Sequence, residues 1–157
     1  MTETMTLRSA TIADASAIRA LTREAYAKWV PVIGREPMPM TVDYVEAVQK
    51  HRIDLLYLMG ALVALVETVA EADFLIANVA VSPAFQGRGF GRKLLSHAEE
   101  VAASLGYDEI KLFTNKLFAE NIRLYGKLGY QVDREEAFKS GVVVHMSKPL
   151  VTRDGRR

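Results

Sequence analysis

Val79-Ala-Val-Ser-Pro-Ala-Phe-Gln-Gly-Arg-Gly-Phe-Gly-Arg-Lys-Leu-Leu95 is the stretch on which the reading of this chain turns. The apolar run Phe74 to Val81 leads into it. A helical pattern follows, with Leu94, Leu95, Ala98, Val101, Ala102 and Leu105 on one face. The glycines therefore fall between a strand and the first turn of a helix. Such a turn leaves backbone N–H groups unpaired, with the positive end of the helix dipole behind them. Phosphate is the ligand this geometry suits. Gly87, Gly89 and Gly91 let a bulky anion approach the backbone. Arg88, Arg92 and Lys93 add positive charge at the same place.

Two common phosphate motifs do not fit. The dinucleotide pattern G-x-G-x-x-G begun at Gly87 would need glycine where Arg92 stands. The P-loop pattern would need Ser or Thr where Leu94 follows Arg92-Lys93. Gln86-x-x-Gly89-x-Gly91 does fit another pattern: it resembles the acetyl-CoA pyrophosphate loop of the GNAT (Gcn5-related) N-acetyltransferases. The preceding Val79-Ala-Val-Ser-Pro83 and the later Glu120-Asn-Ile-Arg-Leu-Tyr-Gly-Lys-Leu-Gly-Tyr130 extend the likeness, which covers roughly 74–150. The N-terminal half is compatible and less distinctive.

The composition agrees with an enzyme of that kind. A chain of 157 residues, half of them hydrophobic, suits one domain with a full core. A net charge of +1 argues for neither a nucleic-acid nor a membrane surface. The absence of cysteine excludes disulfides, thiolate metal sites and a cysteine nucleophile. The longest apolar run, Ile53 to Val66, is broken by Asp54 and Gly60, so no membrane span is expected. The N-terminus lacks the form of a signal peptide, so the expectation is a cytoplasmic protein.

Taken in order, Met5 to Ile12 reads as a first strand, and Thr11 to Asp14 has capping-box form. Ile18, Leu21, Ala25 and Trp29 mark a helix expected to stop near Val30, before Pro31. Trp29 to Met40 reads as an apolar loop stiffened by three prolines, and Thr41 as the cap of a short helix through Lys50. Ile53 to Met59 and Ala61 to Thr68 read as strands turned at Gly60, although periodicity also allows one helix. Phe74 to Val81 is a central strand whose interior polar residue is Asn78. The glycine-turn helix ends at Gly106. Asp108 to Thr114 is a strand and Ala119 to Leu128 a helix. Tyr130 to Glu136 and Val142 to Ser147 are the last strands. The expected order β-α-α-β-β-β-α-β-α-β-β gives an α/β fold, a mixed sheet of about seven strands with helices on both faces. The acetyltransferase domain is expected over 1–150, with a disordered basic tail over 151–157.

The resemblance implies this order and a V-shaped cleft beside the central strand. It implies acetyl-CoA as cofactor, with its pyrophosphate held by backbone N–H groups of Gly87, Arg88, Gly89, Phe90, Gly91 and Arg92. Gln86 would brace the turn. Backbone groups of Val79 and Val81 would pair with the pantetheine arm like another strand, and one amide would face the thioester oxygen. Tyr125 would be the general acid. A phenol can give a proton to a departing thiolate, although tyrosine also packs well in cores. Asn121, four residues earlier on the same helix face, would contact the cofactor arm. The commoner family pattern puts asparagine where Phe118 stands, so Asn115 and Asn121 are both candidates.

No carboxylate occupies the central strand where some relatives carry a base; Leu75 and Asn78 do. Glu67, Glu71 and Asp73 are nearby and read first as solvated acids. His51, His97 and His145 have no metal-ligand spacing, so no metal is expected. The leading function is acetylation of a primary amine on a small or amino-acid-like acceptor, with homodimerisation through the last strands an accompanying option. Protein acetylation and non-catalytic acyl-CoA binding are the alternatives. Trp29 to Met40 is expected to wall the acceptor pocket, with Arg35 for a carboxylate and Glu36 or Asp43 for a cation. The competing reading has Trp29 and Ile33 capping the core.

Overall fold

The computed structural model describes residues 4–139 and 141–151. Seven strands form one sheet in the order β1-β2-β3-β4-β5-β7-β6. They are β1 (Met5–Ser9), β2 (Arg52–Leu58), β3 (Ala61–Ala70), β4 (Phe74–Val81), β5 (Glu109–Asn115), β6 (Gln131–Phe138) and β7 (Gly141–Pro149). The β4–β5 pair is parallel and the others are antiparallel. Helices α1 (Ala15–Tyr26) and α3 (Tyr44–Lys50) cover one face, where Ile18, Leu21, Tyr44 and Ala47 meet Ile53, Leu55, Leu65 and Ala80. On the other face α4 (Phe90–Ser104) buries Leu94, Leu95, Ala98 and Ala102 against Val66, Phe74, Ile76, Ile110 and Leu112. Short α5 (Ala119–Lys127) lies on that second face through Ile122 and Tyr125. This is the expected element order.

Two irregularities in β4 make the site. The first is a bulge: Glu67 pairs with Asn78 but Thr68 with Ile76, which leaves Ala77 without a partner. In a regular strand Phe74, Ile76, Asn78 and Ala80 would share one face. Here Phe74 and Ile76 face α4, whereas Ala80 faces α1 and Asn78 reaches Thr22 and Tyr44. The second is a split. The parallel pairing of β4 with β5 comprises only Leu75↔Lys111 and Ile76↔Leu112, so the strands separate from Ala77 onward. The V-shaped opening expected from the resemblance is this gap.

The N-terminal segment departs from its sequence reading. The helix does not stop before Pro31; a 3-10 turn, Ala27–Trp29, leads into α2 (Val30–Ile33), which ends at Gly34 with φ 76°. Pro31 sits in the first turn of α2, where its missing N–H has no intrahelical acceptor to lose. Trp29 is buried, its ring stacked on Phe118 at 4.3 Å. Asp43, not Thr41, caps α3: its carboxylate accepts from the N–H groups of Val45 and Glu46, while Thr41 donates to the Met38 carbonyl. The Thr11–Asp14 capping box forms as expected. Met59 and Gly60, both at positive φ, turn the β2–β3 hairpin, so the single-helix alternative does not hold. Leu105, expected on the buried face of α4, is exposed. Of the expected basic tail only Val151 lies within the described residues.

Candidate active site

The glycine turn is built as its sequence implies. After β4, a 3-10 turn at Pro83–Phe85 leads to Gln86, then to Gly87 at φ 80° and Gly89 at φ 85°, the N-cap of α4. A Cβ at Gly87 or Gly89 would meet nothing within 4 Å, so backbone conformation, not crowding, calls for glycine. The N–H groups of Phe90, Gly91 and Arg92 form the first helical turn and have no intrahelical acceptor. Gln86 braces the turn by donating Nε2 to the Val81 carbonyl at 3.0 Å. Lys28, which the sequence did not single out, donates to Gln86 Oε1 at 3.2 Å and adds positive charge. The turn opens on a cavity of about 630 Å³, lined also by Trp29, Val79, Val81, Leu95, Glu120, Asn121 and Tyr125.

A second cavity of about 230 Å³ lies across the split. The two share Tyr26, Val79, Asn121 and Tyr125, which form the waist between them. Backbone direction at this waist follows from neighbouring bonds. Ser82 N–H donates to the Val63 carbonyl on β3. Alternate residues point their peptide groups to opposite strand edges, so Val79 and Val81 aim theirs into the split. Their carbonyls are taken, Val79 by the Tyr26 hydroxyl at 3.3 Å and Val81 by Gln86. Their N–H groups are the donors left facing the gap. The Tyr125 ring packs edge-on to Tyr130, and burial pushes its phenol up to about 12. Asn121 lines both cavities and Asn115 only the second.

The second cavity has a polar floor. Glu67 is buried, its side chain 5% exposed, and its Oε2 lies 2.7 Å from His51 Nδ1. It is not the solvated acid that the sequence suggested. The β3–β4 register puts it opposite Asn78. The Asn78 amide donates to Thr22 and Tyr44, leaving Oδ1 buried without a hydrogen bond among the described residues. Tyr44 fixes this orientation. Its proton goes to the Pro39 carbonyl at 2.7 Å, so toward Asn78 it can only accept. Ile33, Arg35, Pro37, Met38 and Pro39 wall the cavity, as expected for this segment. Trp29 instead reaches the first cavity and the core. Glu36 and Asp43 are not free to attract a cation: Glu36 pairs with Arg23 at 2.6 Å and Asp43 caps α3. His97 pairs with Asp54 and His145 with Glu136, each at 2.8 Å, both away from the split. No group of metal ligands forms among the described residues.

Each residue expected at the cofactor loop thus lies on the first cavity or its rim, and Tyr125 lies between the cavities. Sequence reading missed Tyr26, Lys28, His51 and Tyr44. Of these, only Tyr26 had a usable signal, a polar-tipped aromatic beside the buried stripe of α1.

A family model described as "Acetyltransferase (GNAT) family" matches residues 18–130. The uncharacterized N-acetyltransferase YvbK of Bacillus subtilis is 37% identical over 57 residues, 36% of this chain and 37% of that protein, so the match spans little more than a third of this relative. The PaiA N-acetyltransferase of Thermoplasma acidophilum, solved in complex with coenzyme A, superposes with a TM-score of 0.78 at 16% identity, over 93% of this chain and 99% of that one. The ribosomal-protein-S18-alanine N-acetyltransferase of Escherichia coli superposes with a TM-score of 0.76 at 22% identity, over 94% of each chain. At such identities these structures speak for the shared fold.

Proposed function

We propose, from the premise that this chain belongs to the GNAT acetyltransferase family, that it transfers an acetyl group from acetyl-CoA to the primary amine of a small acceptor. The observation that carries this reading is the waist: two cavities meet at Tyr125, Asn121, Tyr26 and Val79, one ending in an anion-binding turn and the other in a buried carboxylate. A non-catalytic acyl-CoA binder would need only the first cavity. A protein substrate would need an open groove, whereas Pro37, Met38, Pro39, Phe138 and Val143 wall the second.

The residues fit coenzyme A. The first helical turn of α4 offers N–H groups to a pyrophosphate, with Arg88, Arg92 and Lys28 adding charge around it. Val79 and Val81 offer N–H donors to an extended arm or a carbonyl oxygen in the split. When bound, acetyl-CoA supplies a thioester whose C–S bond breaks as a C–N bond forms, so one proton must leave nitrogen and one must reach sulfur. Glu67 takes the first. His51 Nδ1–H donates to Glu67 and keeps its carboxylate oriented, or the imidazole relays the proton through Nε2. Tyr125 gives the second, and a phenol held up at about 12 stays protonated until it is needed.

An acetyl-CoA turnover assay, read by thiol release over a panel of amines, amino acids and peptides, tests this reading. Small amines should release thiol in proportion to acetylated product. Coenzyme A binding without turnover of any amine would leave a binding module; turnover of peptides alone would shift the acceptor class.

A further inference from the structure

The acceptor cavity is charged or polar at two ends and apolar between them. At the floor, Glu67 Oε1 accepts from none of the described side chains. Asn78 Oδ1 lies beneath the surface with no donor, which makes the floor more electronegative. Both features favour a ligand group that brings protons, such as an ammonium or amine.

The opposite end carries donors. Arg35 lines the cavity and makes no hydrogen bond or ion pair with the described residues. Asn115 accepts the Leu117 N–H through Oδ1 at 2.9 Å, which turns its Nδ2 the other way. That way lies Gly141, the first residue of β7. A Cβ on Gly141 would stand 3.8 Å from Asn115 Nδ2 and 4.0 Å from an Arg35 guanidinium nitrogen. Two donors therefore converge on space that this glycine leaves open. Its φ is outside the left-handed region, so the backbone does not call for glycine there. The two ends share a sheet face. Ile110 and Leu112 pack toward α4, so Phe113 and Asn115 alternate to the side occupied by Asn78 and Tyr44.

We propose that the acceptor is an amino carboxylate, its amine over Glu67 and Asn78 and its carboxylate between Arg35 and Asn115 beside Gly141. This rests on the acetyltransferase reading and names its substrate class. Glu67 on β3 and Asn115 on β5 are two strand spacings apart, roughly 10 Å between backbones before the split widens them. An apolar spacer fits better than two charged groups on one carbon, and Ile33, Met38, Phe118 and Phe138 supply the walls for it. The cavity of about 230 Å³ is below the ~300–1,000 Å³ of drug-sized sites, which suits a short chain.

The test compares unbranched ω-amino carboxylates of increasing length with alkylamines of matched length and with α-amino acids. Acetyl-CoA turnover is followed in wild type, Arg35→Met and Gly141→Ala. In wild type the best ω-amino carboxylate should exceed its matched alkylamine in kcat/KM by tenfold or more, through KM. Arg35→Met and Gly141→Ala should both bring that ratio toward one. The second keeps the guanidinium and adds only a methyl in ordinary contact distance, so it should fold. With coenzyme A present, the same carboxylate should raise the wild-type Tm and leave the Arg35→Met Tm unmoved. Efficient alkylamine turnover with no carboxylate advantage would overturn the subsite while leaving the acetyltransferase reading standing. Turnover of no amine at all, despite coenzyme A binding, would overturn both.

Discussion

Tyr125 is half-buried, lies at the waist and donates to none of the described residues, so its proton is uncommitted. Tyr125→Phe removes that proton and little else. The expected result is a fall in kcat of roughly a hundredfold or more with coenzyme A affinity within about twofold, measured by turnover and calorimetry. Because burial lifts this phenol to about 12, no loss of activity from its ionisation should appear in a pH profile run to pH 10. Glu67 gives the complementary prediction. Glu67→Gln keeps shape and burial but not the base, so acceptor kcat/KM should drop roughly a hundredfold at neutral pH. The defect should shrink as pH approaches about 10, where a free alkylamine loses its proton unaided. An equal defect at every pH would make Glu67 a structural residue.

At the scale of the element, the strand–turn–helix unit from β4 to α4 carries cofactor binding. Gly89→Glu puts a carboxylate where phosphate is expected and a side chain at φ 85°. The strain should cost about 1–2 kcal/mol, a fall in Tm of several degrees. Coenzyme A affinity should fall far more, by roughly a hundredfold. Gly60→Glu, at φ 86° in the β2–β3 hairpin, is the matched control: similar strain, with coenzyme A affinity retained. If the two variants bind alike, the turn is not the phosphate site. The Pro31 region teaches a different lesson about elements. A proline ends a helix only if the helix continues through it in register. A 3-10 turn at Ala27–Trp29 starts a new helical turn, and the segment goes on to bury Trp29 against Phe118.

Across the whole molecule, the edge strand β1 is tied to the rest by Arg8, which pairs with Asp14 at 2.8 Å and donates to Tyr57 on β2. The Arg8 guanidinium and the Thr11 N–H hold the Asp14 carboxyl down at about 2, below its ordinary 3.8. A carboxyl with a depressed folded-state pKa stabilises fully above its unfolded value and loses that contribution as pH falls through the folded one. Thus wild type should lose this contribution between about pH 4 and pH 2. Arg8→Met should flatten that part of the stability curve, as read by denaturant midpoints across pH. An unchanged slope would mean the pair is screened out in solution.

What the sequence determined by itself is local. The glycine spacing, the apolar run before it and the amphipathic stripe after it each encode backbone torsion or period within a few residues. That was enough for β4, the turn and α4, and with the later Leu-Tyr-Gly-Lys motif for the family. The hairpin at Gly60 and the Thr11–Asp14 box were legible for the same reason. What tertiary structure decided is which residues meet across the sheet. One unpaired residue, Ala77, shifts the register, turns Asn78 from the α4 face to the α1 face, and sets Glu67 opposite it. No local pattern marks that bulge, because it is settled by how β3 and β4 pair. The Glu67–His51 contact spans 16 residues and the Tyr26–Val79 contact 53. The cofactor end of the site is therefore written in the chain, because backbone N–H groups at one turn make it. The acceptor end is side chains from five elements, and only their packing brings them together.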